Sequence, residues 1–121
     1  MNQDKEDKLY NKYPEMLAGM KMSPEESCLS FGIECGDGWY NLIDCLLSAI
    51  HERQPEVKIR QIKEKFGSLR VYIDSGSGDV FDLIDATEIL SEKTCELCGE
   101  PGETTRGPWI VTRCDKCRSK L

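Results

Sequence analysis

Residues 57–74 read VKIRQIKEKFGSLRVYID and decide how the middle of the chain folds. Apolar residues occupy alternate positions in both halves, at Val57 and Ile59 in the first and at Leu69, Val71 and Ile73 in the second. Lysine, arginine or tyrosine stands between them, and this alternation is typical of half-buried strands. The glycine of the KEKFG run suits a turn between the two strands. The stretch therefore predicts an antiparallel hairpin at about 57–74, in a sheet of two or three strands.

Helical patterns flank this hairpin. Before it, GDGW at residues 36–39 opens a run with apolar side chains at helical spacing from Trp39 to Ile50, and Asp37 is the predicted N-cap. After it, an acidic helix is predicted at about 79–93. We expect Leu90 on its inner face and Glu88 on its outer face, with the remaining aspartates and glutamates also facing outward.

Two more helices are predicted near the N-terminus. About the first twenty residues form a polar helix that Pro14 bends or interrupts. The run from Ser23 to Glu26 is typical of a second helix start, with Ser23 as the cap. The fold class predicted from all of these patterns is α+β. We expect a body at residues 1–94 and a metal-binding module at 95–121 that is packed on it.

Four of the seven cysteines form the pattern Cys-x2-Cys-x15-Cys-x2-Cys, which is typical of structural zinc. The predicted ligands of one zinc ion per chain are Cys95, Cys98, Cys114 and Cys117. Four thiolates close a tetrahedral site, whereas a catalytic zinc keeps an open position. A strand at 109–112 and a helix that starts at Asp115 would complete a treble clef, and a zinc ribbon is the alternative.

The remaining cysteines offer no catalytic pattern. We expect Cys28, Cys35 and Cys45 to pack as small apolar groups. Cys45 and the single histidine, His51, are separated by about 9 Å along one predicted helix, so they cannot act as nucleophile and base. We therefore predict no catalytic residue and no enzymatic activity.

Several features suggest a cytoplasmic protein that does not enter membranes. No apolar run approaches the roughly 20 residues that span a bilayer. Residues 1–13, MNQDKEDKLYNKY, lack the apolar stretch of a signal peptide. Clustered cysteines without an export signal are more typical of metal ligands in a reducing compartment than of disulfides.

The net charge of −6 is unevenly distributed. Residues 53–70 carry 6 basic and 2 acidic side chains, while the segments on both sides are strongly acidic. A basic face inside a negative field suits an acidic protein partner and disfavours nucleic acid. A merely solvated face of the sheet is the alternative interpretation. The candidate partner-binding residues are Lys58, Arg60, Lys63, Lys65, Arg70 and Tyr72.

Three runs carry a family resemblance: GIECGDGWYNLIDCL at 32–46, QIKEKFGSLRVYID at 61–74 and CELCGEPG at 95–102. They resemble an uncharacterised family of small bacterial and bacteriophage proteins, in which a GDGW helix start, a KEKFG-LR strand pair and a terminal zinc knuckle follow in this order. The likeness covers roughly residues 28–117. Many relatives end in Cys-x2-His, where this chain has Cys114 and Cys117. By analogy the resemblance implies a small host-directed protein, such as a regulator or an inhibitor of host defence.

We therefore expect a zinc-stabilised, non-enzymatic protein-binding module whose partner is a host or phage protein with an acidic surface. The first alternative is a nucleic-acid-binding zinc protein that uses the basic hairpin at 53–70. The second is an enzyme of a kind that these motifs do not identify.

Overall fold

A hairpin with helices packed beside it forms the centre of the structure, a computed structural model that describes residues 1–119. Strands β1 (Ile59–Lys65) and β2 (Ser68–Ile73) pair antiparallel, as the alternation predicts. The helices are α1 (Gln3–Lys12), α2 (Tyr40–Arg53), α3 (Gly78–Ser91) and α4 (Asp115–Arg118). A second hairpin pairs β3 (Glu103–Thr104) with β4 (Thr112–Arg113). The predicted α+β class is confirmed.

The register of the central hairpin separates a core face from an outer face. Residues that pair directly point to the same side. The pair Ile62–Val71 faces the core, and both side chains are buried. The pair Lys63–Arg70 and the pairs two positions away on either side, Gln61–Tyr72 and Lys65–Ser68, point to the opposite side. We call this side the outer face; it consists of Gln61, Lys63, Lys65, Ser68, Arg70 and Tyr72.

Both edges of the hairpin are covered by other parts of the chain. Helix α3 lies along β2, where Ser91 Oγ accepts from Leu69 N at 2.9 Å and Glu88 Oε2 accepts from Val71 N at 3.1 Å. Along β1, Glu34 N donates to Ile62 O at 2.9 Å. Neither strand therefore offers a long open edge for another strand.

The core lies between α2 and the hairpin. Trp39, Ile43 and Ile50 are fully buried on one side, and Ile59 and Ile62 are buried on the other. The predicted apolar face of the central helix is thus confirmed, and Trp39 is its first anchor. Among the described residues, no helix is long and apolar enough to cross a membrane.

Two predicted helix starts are wrong. At Ser23 the chain makes a single turn, in which Ser23 Oγ donates to Glu26 Oε1, and a separate 3-10 turn begins at Cys28 with Ser27 as its cap. Asp37 does not cap α2, because its carboxylate accepts hydrogen bonds from Asn2 N and Nδ2 at 2.8 and 2.9 Å. A 3-10 turn at Asp37–Trp39 leads into α2 instead.

The orientation predicted for α3 is also wrong at two positions. Leu90 is 52% exposed, while Glu88 turns towards β2. The cause is the outer edge of β2, whose N–H groups are not paired with β1. The side chains of Glu88 and Ser91 accept hydrogen bonds from these groups. Helical periodicity alone favoured Leu90 for the inner face, whereas the hydrogen bonds to the strand edge set the rotation of the helix.

Candidate metal centre

The four cysteines predicted as zinc ligands lie together. The Sγ atoms of Cys95, Cys98, Cys114 and Cys117 are all within 4.8 Å of one another, and Cys98 Sγ lies 3.6 Å from Cys114 Sγ. In a tetrahedron with ligands about 2.3 Å from the metal, sulfur atoms are about 3.8 Å apart. A disulfide would require about 2.05 Å. The cluster therefore has the dimensions of a tetrahedral metal site, and its cysteines are free thiols.

Local structure explains how each pair of cysteines is positioned. In the first pair, Gly99 has φ +85° and its N–H donates to Cys95 O, so the chain turns back after Cys98. In the second pair, Cys114 is the N-cap of α4 and Cys117 lies in its first turn. The β3–β4 hairpin brings the two pairs to the same place.

The strand predicted at 109–112 is wrong except for its last residue. Thr105 Oγ1 donates to Trp109 O at 3.0 Å and accepts from Val111 N at 3.1 Å. Thr105 N also donates to Val111 O at 2.8 Å, so both the backbone and the side chain of Thr105 hold this segment, and Gly107, at φ +114°, turns the chain. Residues 105–111 form a loop, which we call the Trp109 loop. The helix predicted from Asp115 is the four-residue α4.

The surroundings of the cluster favour the thiolate form of Cys95 and oppose the thiolate form of Cys117. Burial acts to raise the pKa of Cys95, but backbone N–H groups of Cys114, Cys98 and Leu97 donate to its sulfur and bring the pKa down to about 6. At Cys117 the hydrogen bond with Cys114 and burial raise the pKa to about 12. Four thiolates can ionise together only when a cation neutralises them.

The first cysteine pair is pressed against the start of α2. Gly38 N donates to Glu96 O at 2.7 Å, and Gly36 N donates to Glu96 Oε2 at 2.9 Å. A Cβ atom on Gly38 would overlap Cys95 O and lie 2.6 Å from Gly99 N. Trp39 Nε1 donates to Thr94 O at 2.8 Å. The backbone around the first cysteine pair therefore packs directly on the GDGW segment and is hydrogen-bonded to it.

The tip of the central hairpin makes a second contact with the same module. Thr112 Oγ1 donates to Gly67 O. Gly67 has φ +80°, and a Cβ atom there would lie 2.9 Å from Thr104 Cγ2 and 3.3 Å from Ile110 Cγ2. The run GDGW thus contacts CELCG, and the run KEKFG contacts the β3–β4 hairpin and the Trp109 loop of the same module. Sequence reasoning missed this joint, although the glycines common to all three runs were a usable signal.

The candidate partner-binding residues do not all lie on one surface. Lys63, Lys65, Arg70 and Tyr72 share the outer face. Arg60 stands at a register shift between Ile59 and Gln61, and it lines a groove of about 270 Å³ together with Tyr72.

Lys58 differs from these five. It precedes β1, and its Nζ donates to Glu15 O at 3.2 Å. The structure therefore does not bring Lys58 to the outer face.

The charges of the outer face are not matched by close ion pairs. Within residues 1–119, Lys12–Asp44 is the single ion pair at 4.0 Å or less. Arg70 lies near Glu88, whose pKa is nevertheless raised, because burial outweighs the hydrogen bond from Val71 N and the attraction of Arg70. Lys63 and Lys65 therefore present their charge to the surroundings.

The other cysteines and the histidine form no cluster with one another in the part of the chain described. The expectation that these cysteines pack as small apolar groups is confirmed for Cys35, which is buried, and is wrong for Cys28 and Cys45, which are exposed. Burial raises the pKa of the Cys35 thiol to about 12. The ring of His51 lies 6.0 Å from that of Tyr13, on the exposed end of α2.

Comparisons of the chain with protein-family models, with curated proteins and with solved structures found no match. Arguments about function therefore start from the geometry of the site itself.

Proposed function

We propose that this chain is a zinc-stabilised, non-enzymatic protein-binding module. The zinc assignment rests on the close approach of the four Sγ atoms. Zinc is the metal most typical of four-cysteine sites with this spacing. Four thiolates fill its coordination, so the ion, one per chain, has no open position for water or substrate.

A structural role of the metal also follows from the composition of the module. From residue 95 to residue 119, the buried apolar side chains are Cys95, Val111 and Cys117. Such a small core cannot hold 25 residues in place without a metal or another crosslink. The order of a glycine-containing turn, a hairpin and a helix that carries Cys117 supports a treble clef rather than a ribbon.

The outer face of the hairpin is the proposed contact surface. It groups Lys63, Lys65, Arg70 and Tyr72 on a rigid support, and the lysines have no carboxylate within ion-pair distance among the described residues. Both strand edges are covered, so recognition uses side chains rather than addition of a strand.

An acidic protein fits this surface better than nucleic acid does. Asp85 and Glu88 lie on α3, Glu92 is the residue that caps its end, and Glu88 lies beside the edge of β2. A phosphate backbone that passed over Arg70 would meet these carboxylates, and the whole chain has a net charge of −6. The proposal of a regulator or an inhibitor of a host defence protein draws its support from the family resemblance.

The test is an affinity capture of host proteins that uses the wild type and two variants as bait. The two variants change the net charge by the same amount. Lys63→Glu with Lys65→Glu reverses the outer face, while Lys8→Glu with Lys93→Glu reverses exposed lysines elsewhere. We expect the wild type and the second variant to retain the same acidic protein, identified by mass spectrometry, and the first variant to lose it. Circular dichroism would establish that both variants are folded.

Two results would sink the protein-binding proposal. One is equal capture by both variants. The other is submicromolar binding of single- or double-stranded nucleic acid at about 0.15 M salt that the outer-face reversal removes. The latter result would favour the nucleic-acid alternative.

A further inference from the structure

The inference that follows rests on the proposed protein-binding function. We infer that the contact surface continues from the outer face over the hairpin tip and onto the Trp109 loop, with Phe66 and Trp109 as its anchors. The partner is a protein segment in which large apolar side chains stand between carboxylates. Three sets of observations carry this assignment: the conformation of Phe66, the support of Trp109 and the charges beside them.

Neither the backbone conformation nor the exposure of Phe66 contributes to the stability of the fold. It is the first of two turn residues, with φ +54°, followed by Gly67 with φ +80°. A two-residue turn of this kind favours Asn-Gly, and a bulky side chain at positive φ is unusual. The ring is 67% exposed, so it gains little from burial. Strain without a packing gain is typical of a residue kept for contacts with another molecule.

Trp109 is presented in a comparable way. It is 72% exposed, yet Thr105 holds the loop through bonds to Trp109 O and Val111 N. The neighbouring Ile110 reaches the turn, since its Cγ2 would lie 3.3 Å from a Cβ atom on Gly67. The loop and the hairpin tip are therefore in contact. Exposed tryptophan and phenylalanine on a rigid support are frequent anchors of protein interfaces.

The charges beside the anchors define the chemistry of the partner. Lys65 Nζ lies 5.7 Å from the centre of the Phe66 ring, and Lys63 and Arg70 pair across the strands behind it. Arg106 is exposed on the Trp109 loop. A segment with carboxylates alone would leave both rings in water, and a purely apolar one would leave the cations unmatched. The complement is a segment that alternates the two kinds of side chain.

The experiment uses the full chain with its metal and three labelled probes: a mixed glutamate–tyrosine polymer, polyglutamate, and oligothymidylate. Fluorescence anisotropy gives the affinities. We expect the mixed polymer to bind at least tenfold more tightly than polyglutamate or oligothymidylate. Its binding should also shift tryptophan emission to the blue, because Trp39 is already buried and Trp109 is exposed.

The decisive variant is Phe66→Asn, which creates the favoured Asn-Gly turn. We expect it to melt at a higher temperature than the wild type and to bind the mixed polymer tenfold or more weakly. Trp109→Ser should weaken binding by a similar factor. Phe31→Asn is the matched control, because Phe31 is 65% exposed but lies on the Cys28–Phe31 turn. It should bind like the wild type.

Each contrary result has a definite meaning. The inference is overturned if the mixed polymer does not bind, if it binds no better than polyglutamate or oligothymidylate, or if Phe66→Asn binds it like the wild type. If Lys63→Glu with Lys65→Glu loses binding but neither anchor variant does, the outer face binds the partner and the assignment of Phe66 and Trp109 as anchors is wrong. Loss in the anchor variants alone would instead contradict the basic outer face of the proposed function.

Discussion

Replacing Gly38 with alanine should separate the cysteine module from the body. A Cβ atom at this position would overlap Cys95 O and lie 2.6 Å from Gly99 N and 2.7 Å from Glu96 C. All three are backbone atoms of the turn around the first cysteine pair, so no side-chain rotation relieves the overlap. The turn must move away from α2.

The expected cost follows from the contacts that this movement breaks. Three hydrogen bonds cross the joint, from Gly38 N to Glu96 O, from Gly36 N to Glu96 Oε2 and from Trp39 Nε1 to Thr94 O. Each is worth about 1 kcal/mol of net stability. Replacing glycine with alanine also stabilises the folded state by about 0.5–1 kcal/mol, because it lowers the conformational entropy of the unfolded chain. Gly38→Ala should therefore lower the free energy of unfolding by about 2 kcal/mol.

Urea unfolding, followed by the fluorescence of the buried Trp39, measures this change. Gly78→Ala is the matched control, since a Cβ atom at Gly78 would meet nothing within 4 Å and the residue begins α3. We expect the control to gain about 0.5 kcal/mol. If Gly38→Ala unfolds at the same urea concentration as the wild type, the contacts at Gly38 do not hold the cysteine module on the body.

Three further perturbations test other parts of the structure. Trp39→Ala should cost about 3–5 kcal/mol in urea unfolding, because the side chain is fully buried; an unchanged midpoint would contradict its role as an anchor. Cys98→Ser should lose the metal and expose residues 95–119 to protease, and protection of that segment would contradict a metal-dependent fold. Glu88→Gln should stabilise the protein at neutral pH, because burial raises the pKa of Glu88 and native stability falls as the pH rises through that raised value. The amide still accepts from Val71 N, so the difference should vanish below the ordinary value of 4.5; an equal gain at all pH values would exclude titration of Glu88 as the cause.

Local patterns were sufficient to predict the main elements. Alternation of apolar and polar residues on both sides of Gly67 specified a hairpin, because strand side chains repeat with a period of two and the turn admits few residue types. Spacing alone identified the four cysteines, since each CxxC places two sulfur atoms on one turn. Both the alternation and the CxxC spacing relate residues that are close in sequence, and the turns that they specify form between those same residues.

The features that sequence reasoning missed depend on contacts between distant segments. The joint between Gly38 and Glu96 links residues that no local pattern relates. The rotation of α3 depends on hydrogen bonds from β2, which overrode the apolar character of Leu90. Asp37 was predicted to cap a helix, but Asn2 supplies its hydrogen-bond donors. In each case a tertiary hydrogen bond outweighed a local preference.

Whether the fold depends on zinc can be measured by metal analysis of the purified chain, combined with mass spectrometry under native conditions. We expect one zinc ion per chain, and removing it with a chelator should open residues 95–119 to protease and release the contacts at Gly38 and Gly67. A chain that is purified without metal, and that keeps the same protease protection and the same unfolding midpoint when zinc is added, would contradict this expectation.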